Sequence, residues 1–211
     1  TDVAGGKIID KLIAKNNSPL TRRLGIPSLK QETATNASVG FTLTPFKGFT
    51  ATVDGYYVKI KDRIVLTGAF DQSDPDIGAD LVALNVGAAQ FFTNVLDTKT
   101  LGVDAILTYA MNFDAHQFRF SYAGNFNRMT LGAIKTSPKL AGKQDVYFGD
   151  REQHFLVASA PPAKNSLTVD YGYEQFHANL RFTHFGRVSL IDWLGTEDVY
   201  TAKVTTDLSL A

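Results

Sequence analysis

Histidines are the side chains of this chain best suited to metal binding and proton transfer near neutral pH. The four histidines are His116, His154, His177 and His184. His177 and His184 lie an odd number of positions apart in one predicted strand, so they point to opposite faces and cannot share a metal ion. His116 falls in a predicted turn. The spacing therefore predicts no metal site.

Four aspartates lie between positions 71 and 80, namely Asp71, Asp74, Asp76 and Asp80. Calcium is a hard cation that takes several oxygen ligands, so a calcium site is one interpretation of this run. The spacing does not match an EF-hand loop. The sequence favours a solvated polar loop over a calcium site.

A serine, an aspartate and a histidine, Ser166, Asp170 and His177, fall on the polar face of one predicted hairpin. Many other polar residues share that face, and no pattern suggests an oxyanion hole. The chain has no cysteine, which excludes thiolate metal sites, a cysteine nucleophile and a disulfide scaffold. We therefore predict hydrogen bonding within a sheet, no catalytic, cofactor-binding or metal-binding residue, and no enzyme activity.

Charge and hydropathy exclude two further classes of protein. Lysine plus arginine and aspartate plus glutamate each number 21, and no basic stripe is present, so nucleic acid is not an expected partner. The longest weakly charged stretch, 81–95, is broken by Asn85, Gln90 and Asn94, which excludes a spanning helix. A membrane remains possible because a barrel strand carries only half of its residues on the lipid face.

The segments that position side chains such as Asp170 and His177 show a hydropathy pattern with a period of two. Apolar residues alternate with polar ones in seven runs, and this pattern predicts strands. The runs cover 37–43, 49–55, 103–111, 118–126, 167–173, 176–182 and 200–210.

Hairpin pairing tests this prediction, because directly opposed residues in an antiparallel pair point to the same face. If Tyr173 faces Phe176, then Val169 meets Leu180 on the apolar face. The polar face then pairs Asp170 with Asn179 and Thr168 with Arg181. Pairing Met111 with Phe118 and Leu43 with Phe49 separates the faces equally well. The fold class is therefore predicted to be all-β and antiparallel.

Connections between the predicted strands alternate between short and long. Short turns are predicted at 44–48, 112–117 and 174–175, and long segments at 64–98, 130–165 and 188–198. This asymmetry is typical of an up-and-down transmembrane β-barrel with long extracellular loops. Within the long segments we expect a short helix at 81–92 and a further strand at 151–159.

The polar face carries most of the charge of the predicted strands. Alternation by itself fits both a soluble sandwich and a membrane barrel. Strand length and loop asymmetry favour the barrel, with a wet lumen and a lipid face whose interfacial aromatics include Phe126, Tyr57 and Phe185. The lumen candidates either line a ligand path or a docking surface, or form a cross-strand polar ladder. They are Arg119, Asn125, Asp170, Asn179, Arg181, Lys203 and Asp207.

Seven strands would leave two open sheet edges, which lipid cannot satisfy, and single-chain bacterial barrels use even strand numbers. We therefore expect additional strands outside these 211 residues. The chain begins at Thr1 with no initiator methionine and no leader pattern. Either a leader has been removed or the sequence starts within a longer protein.

Several short motifs resemble the C-terminal part of the barrel of TonB-dependent outer-membrane receptors. Leu29-Lys30-Gln31-Glu32 resembles the family's Leu-Lys-Pro-Glu segment before a strand, with Gln31 where proline is usual. The other motifs are the strand end at 56–64, Asn94 followed by 98–104, and the hairpin at 161–173 with Thr183-His184-Phe185-Gly186. Each motif is short, but their order extends over residues 29–210.

This resemblance implies about seven consecutive strands of a barrel of about 22 strands in the bacterial outer membrane. Residues 1–34 would be mainly an extracellular loop and strand lead-in, and 64–98 and 130–164 would be extracellular loops. A plug domain and closing strands would lie outside this chain. The implied function is import of a scarce siderophore, vitamin, carbohydrate or peptide, driven by proton-motive force.

The resemblance also implies the partners. These would be the rest of the barrel and its plug, the energy-coupling TonB complex acting through that plug, outer-membrane lipid and a small ligand. Two alternatives stay open at this point. The chain could be a soluble all-β binding or adhesin module, or part of another outer-membrane barrel such as a porin.

Overall fold

The structure is a computed structural model that describes Asp2–Ala4 and residues 7–211. Strands predominate, with short helices between some of them. In chain order the elements are β1 (Asp2–Ala4), β2 (Lys7–Ile9), β3 (Lys11–Ala14), α1 (Pro19–Arg23), β4 (Thr33–Leu43), β5 (Phe49–Leu66), β6 (Phe70–Asp71), α2 (Gly78–Ala83), β7 (Ala88–Phe113), β8 (His116–Leu131), a 3-10 helix (Pro138–Leu140), α3 (Gln144–Phe148), α4 (Asp150–Ala158), β9 (Ala163–Tyr173), β10 (Phe176–Phe185), β11 (Val188–Ile191), β12 (Glu197–Tyr200) and β13 (Lys203–Leu210).

The chain divides into two compact units. The first, which we call the core unit, consists of Thr1–Thr35, Lys59–Lys99 and Leu131–Leu156. The second, the sheet unit, consists of Asn36–Val58, Thr100–Thr130 and Val157–Ala211. Strands β4, β5, β7 and β8 contribute residues to both units.

Seven strands of the sheet unit pair side by side in the order β13-β10-β9-β8-β7-β5-β4. The strand order follows the chain order, which is the up-and-down arrangement that the sequence predicts. Pairing is antiparallel between β8 and β9, between β9 and β10, and between β10 and β13. The all-β, antiparallel fold class is confirmed.

The predicted register of the β9–β10 hairpin is confirmed residue by residue. Tyr173 lies opposite Phe176, and Val169 opposite Leu180. On the other face Asp170 lies opposite Asn179. The hairpin closes with a two-residue turn whose first residue, Glu174, has a φ of +49°. A period-two pattern and a two-residue turn together leave one register that keeps both faces separate.

Two other predicted turns have different outcomes. Strand β4 ends at Leu43 and β5 begins at Phe49, as predicted. The turn predicted at 112–117 is shorter than expected, because β7 continues to Phe113 and β8 begins at His116. Asp114, at the start of this tighter turn, has a φ of +51°, a conformation that aspartate tolerates better than most residues.

Strands β11 and β12 form a hairpin at 188–200, where the sequence predicts a long segment at 188–198, and Val188 pairs with Tyr200. Asp192 holds its turn by accepting hydrogen bonds from the backbone N–H groups of Leu194 and Thr196, both at 2.8 Å. The prediction that Tyr200 starts the last strand is therefore wrong. The alternating pattern continues from β12 into β13, so periodicity did not reveal the break at 201–202.

The core unit folds around a conventional hydrophobic core. Strand β7 pairs in parallel with β3 and antiparallel with β6. Helix α1 begins after Ser18, whose hydroxyl caps the backbone N–H of Thr21 at 3.3 Å. The buried apolar side chains are Ala14, Leu20, Leu24, Ile26, Phe70, Ile77, Leu81, Ala89, Phe91, Val95, Leu96, Leu140, Tyr147 and Phe148.

Two local predictions within the core unit need correction. The strand predicted at 151–159 is instead a helix, α4, whose first turn carries Asp150 and Glu152. Carboxylates at this position complement the helix dipole. The short helix predicted at 81–92 exists as α2 but lies earlier, at Gly78–Ala83, and β7 begins already at Ala88. None of the helices described is long and apolar enough to span a bilayer.

Candidate functional site

The polar face of the sheet unit is organised in rows that cross β8, β9, β10 and β13. Residues directly opposed in neighbouring strands share a face, so the printed register defines each row. Three rows carry all seven lumen candidates. They are Arg119–Asp170–Asn179–Ser209, Ser121–Thr168–Arg181–Asp207 and Asn125–Lys164–Phe185–Lys203.

Hydrogen bonds join some of these candidates within the rows. Asn179 donates its side-chain amide to Asp170 Oδ1 at 2.5 Å. Asn125 donates to Asp104 Oδ1 at 2.6 Å and to the Tyr56 hydroxyl at 3.1 Å. Tyr56 reaches this position because its ring lies over Gly102, where a Cβ atom would be about 2.1 Å from the ring. These contacts form part of the predicted cross-strand ladder.

The two arginines among the candidates do not complete that ladder. Arg119 lies opposite Asp170, and Arg181 lies opposite Asp207. Neither pair approaches within the 4.0 Å of an ion pair. Arg181 instead donates to Thr168 Oγ1 at 3.4 Å. Both guanidinium groups are exposed on the polar face.

A shallow cavity of about 310 Å³ lies at the short-turn end of the polar face. Its wall includes Arg119, Asp170, His177 and Asn179. The serine, aspartate and histidine considered for catalysis are not brought together: Ser166 and Asp170 are four residues apart on β9, or about 13 Å. The polar face therefore offers binding groups rather than a catalytic triad.

The opposite face of the same strands is apolar and exposed. Leu180, for example, lies between Val169 and Leu208, and Phe182 lies between Leu167 and Thr206. Side chains such as Leu208, with 66% of its surface exposed, and Phe41, with 69%, have no protein cover. No hydrophobic residue of the sheet unit is buried. Exposed apolar surface of this extent marks a face that contacts a membrane or other protein segments.

Polar and aromatic side chains border this apolar face at both ends. At one end His116 stacks on Tyr173 at 4.6 Å, and its Nδ1 atom lies 2.8 Å from the Tyr171 hydroxyl. At the other end Asn165 bonds to the Tyr122 hydroxyl at 2.7 Å and to His184 at 3.2 Å. On β8, His116 lies opposite Tyr173 and Gly124 lies opposite Asn165. The two borders are therefore eight residues, or about 27 Å, apart along this strand.

Lys164 is a polar-face residue that the sequence did not single out, and Phe185 is one that the sequence prediction assigned to the wrong face. The register places Phe185 between Lys164 and Lys203, on the polar face and not in the predicted interfacial girdle. Lys164 Nζ lies 5.3 Å from the centre of the Phe185 ring. The odd spacing between Phe182 and Phe185 could have revealed this, because residues three apart in a strand face opposite sides.

Three sequence motifs in the core unit converge on one hydrogen-bond network. The Asn94 side chain accepts from Lys30 N at 2.7 Å and donates to Lys30 O at 2.9 Å and Asp62 O at 2.6 Å. Glu32 accepts a hydrogen bond from the backbone N–H of Ile64. Asp62, with a φ of +54°, interrupts the regular geometry of β5 at this point.

A lysine closes the same network. Lys135 Nζ donates to Asp62 Oδ1 at 2.6 Å and to Asp97 Oδ1 at 2.5 Å. Hydrogen bonds from these two carboxylates raise the pKa of Lys135 above its usual value, although partial burial opposes the shift. Residues of the motifs at 29–32 and 56–64, together with Asn94, thus have a structural role within the core unit.

Aspartates of the run at 71–80 also form ion pairs with cationic side chains. Lys143 Nζ contacts Asp74 Oδ2 at 2.7 Å and Asp76 Oδ2 at 2.6 Å, and Arg23 contacts Asp80 at 3.2 Å. The hydrogen bond from Lys143, followed by its charge, lowers the pKa of Asp76. Burial alone would lower the pKa of Lys143, but the bonds and charges of both aspartates outweigh it and raise the pKa.

The histidines are dispersed. His116 begins β8 and does not lie in a turn, so that prediction is wrong. His177 and His184 lie on opposite faces of β10, as predicted. His154 Nδ1 lies 2.7 Å from the backbone carbonyl of Asp150. Within residues 2–4 and 7–211 no three ligand-type side chains form a group that could hold a metal ion.

Comparison with known proteins gives a family match over almost the whole chain. The family model described as "TonB dependent receptor-like, beta-barrel" matches residues 3–211. No curated protein sequence matches the chain.

Three solved structures share the fold. They are the FrpB iron transporter of Neisseria meningitidis (14% identity, TM-score 0.52, 85% of this chain and 24% of that chain), the siderophore receptor PirA of Acinetobacter baumannii (14%, 0.52, 87% and 26%) and a mutant of the ferric enterobactin receptor PfeA of Pseudomonas aeruginosa (15%, 0.52, 86% and 23%). The chain therefore spans about a quarter of the length of the structures that it matches.

Proposed function

Because the chain belongs to the TonB-dependent receptor β-barrel family, a family of receptors and transporters and not of enzymes, we propose that it forms part of the wall of an outer-membrane importer. In this role the apolar face of the sheet unit contacts lipid and the polar face lines the lumen. One observation carries the proposal: the sheet unit has an apolar face with no protein cover, directly opposite rows of charged and amide side chains.

The dimensions of the apolar face support this orientation. The two polar borders lie about 27 Å apart along the strands, and barrel strands tilt by about 35–45°. The corresponding height along the membrane normal is roughly 20 Å, close to the apolar band of about 25 Å in outer-membrane barrels. The histidine, tyrosine and asparagine side chains at the borders suit the membrane–water interface.

We further propose active import of a scarce ligand, driven by proton-motive force through a plug domain and the energy-coupling TonB complex. The substrate would be a siderophore, vitamin, carbohydrate or peptide. The names of the similar structures, an iron transporter, a siderophore receptor and a ferric enterobactin receptor, favour an iron-carrying ligand. Residues 1–34, 64–98 and 130–164 would then be extracellular.

The face assignment can be tested with spin labels on the full-length receptor in liposomes. Single cysteines replace Phe120 and Leu180 on the apolar face, and Ser121 and Thr183 on the polar face. Oxygen should relax the first pair preferentially, and a water-soluble nickel chelate the second pair. A soluble sandwich would bury Phe120 and Leu180 from both relaxing agents, and that result would overturn the membrane assignment.

Uptake in cells tests the import proposal. Growth on a limiting ferric siderophore, cobalamin or oligosaccharide should depend on the receptor gene for one of these ligands. A protonophore should abolish that uptake. Uptake that persists after the protonophore would identify a passive porin instead.

A further inference from the structure

A cationic group of three side chains lies at one end of the polar face of the sheet unit. We call Lys164, Phe185 and Lys203 the lysine–phenylalanine triad. Phe185 lies directly opposite Lys164 on one side and Lys203 on the other. Neighbouring strands are about 4.8 Å apart, so the two lysine backbones lie about 10 Å apart with an aromatic ring between them.

The carboxylates on the strands of the triad are distant. Asp207 lies four residues from Lys203 on β13, and Asp170 lies six residues from Lys164 on β9, which correspond to about 13 Å and 20 Å. Both distances exceed the screening length of about 8–10 Å at physiological ionic strength. Neither carboxylate therefore neutralises the two ammonium groups.

Asp104, an acidic side chain on β7, is already engaged. Asn125 lies opposite Lys164 and donates its amide to Asp104 Oδ1 at 2.6 Å. The row below the triad consists of uncharged residues, Ala123, Ser166, Thr183 and Thr205. Two positive charges thus flank an aromatic ring with no anionic partner in contact.

We propose that the lysine–phenylalanine triad binds an organic anion with a carboxylate or similar acidic group on an apolar or aromatic body. The ammonium groups attract the acidic group, and the free surface of the Phe185 ring contacts the apolar body. The inference rests on the proposed function, because the site is useful to an importer only if the polar face lines a water-filled lumen. The inference adds the charge and the chemical class of the molecule that passes through the lumen along this face.

A cysteine at Thr183, one row below the triad, measures the local electrostatic potential in the full-length receptor. The 211 residues contain no native cysteine, and any elsewhere in the receptor are replaced by serine. The thiol reacts with an anionic and with a cationic methanethiosulfonate, and each rate is divided by that of a free thiol. The normalised anionic rate should exceed the cationic rate by roughly tenfold at low salt.

Replacement of both lysines tests whether the triad causes this preference. Lys164→Gln with Lys203→Gln should bring the two rates to within about twofold. Lys47→Gln is the matched control, because it removes a lysine in the turn between β4 and β5 and should leave the ratio unchanged. Equal rates in the parent protein, or an unchanged ratio in the double variant, would overturn the proposal.

Binding is tested by protection of the same cysteine from a neutral methanethiosulfonate. Benzoate should slow the reaction, whereas benzyl alcohol and benzylamine should not, and the double lysine variant should lose the protection. Equal protection by all three probes, or none by benzoate, would overturn the binding class. A cysteine that reacts only with lipid-soluble reagents would instead contradict the assignment of this face to the lumen, and with it the proposed function.

Discussion

The two units of this protein use parts of the same strand in different ways. In the core unit β7 buries Phe91, Val95 and Leu96 completely. Farther along, in the sheet unit, the same strand exposes Val103 and Met111 to 44% and 41% of their surface. The core unit stabilises itself by removing apolar side chains from water, whereas the sheet unit depends on an apolar environment supplied from outside.

The largest expected effect is the loss of a large core side chain. Phe91→Ala removes a ring that packs edge-to-face on Phe70, with 5.8 Å between the ring centres. The cost should be about 3–5 kcal/mol of opening free energy. Native-state hydrogen exchange of the core-unit amides measures it. The control Phe120→Ala, on the exposed apolar face, should leave those amides unchanged, and equal losses would contradict the separate roles of the two units.

The next effect concerns the bilayer as solvent for the sheet unit. Leu107→Arg should destabilise the refolded receptor by roughly 2–4 kcal/mol if this side chain faces lipid near mid-depth. Thr108→Arg, one residue farther on the opposite face, should cost much less. Denaturant titration in lipid vesicles compares the two. Similar costs would show that the faces are wrongly assigned.

A smaller effect is expected at the network where the sequence motifs meet. Asn94→Ala leaves the backbone groups of Lys30 and Asp62 without their side-chain partner. A loss of about 1–3 kcal/mol should follow. Asn94→Asp keeps the acceptor for Lys30 N but places a carboxylate oxygen against the carbonyl oxygens of Lys30 and Asp62, so it should be no more stable than the alanine variant. Thermal unfolding of the core unit, followed by hydrogen exchange, orders the three proteins.

The smallest effect is the pH dependence of the contact between Lys143 and Asp76. The folded pKa of the Asp76 carboxyl lies below its ordinary value of 3.8. The contribution of Asp76 to the free energy of unfolding is therefore present above pH 3.8 and is lost as the pH falls through the folded pKa. Lys143→Gln should lower the stability of this segment at pH 7, and should lower it less at a pH below the folded pKa of Asp76. Hydrogen exchange of 71–77 at the two pH values provides the measurement. A difference that grows on acidification would contradict the assignment.

The sequence predicted the sheet unit better than the core unit. In β9 and β10 the apolar–polar alternation and the turn at Glu174 specify one register, and the structure has that register. In α4, by contrast, the apolar residues Phe155, Leu156 and Val157 are consecutive, and so short a run does not separate a strand from a helix. Its identity as a helix depends on its packing, which includes Leu156 against the hydrophobic core.

The candidate site shows the same division. The alternation of faces along each predicted strand placed Asp170, Asn179 and Arg181 on one face, and the register of β9 and β10 confirms this. Pairing Met111 with Phe118 already places Asp104 opposite Asn125, and the structure has the hydrogen bond between them. The second contact of Asn125, with the Tyr56 hydroxyl, joins a strand whose register the local pattern does not specify. The position of Phe185 between two lysines likewise depends on the register of three strands.

Sequence alone determined the strand faces, the hairpin register at Glu174–Gln175 and the family resemblance, because each follows from local periodicity or from motif order along the chain. Tertiary structure decided that the segments at 64–98 and 131–156 contribute to a unit with its own buried core. It also decided that Lys30, Asp62 and Asn94 meet in one network. These features depend on contacts between residues far apart in sequence, for which a period of two carries no information.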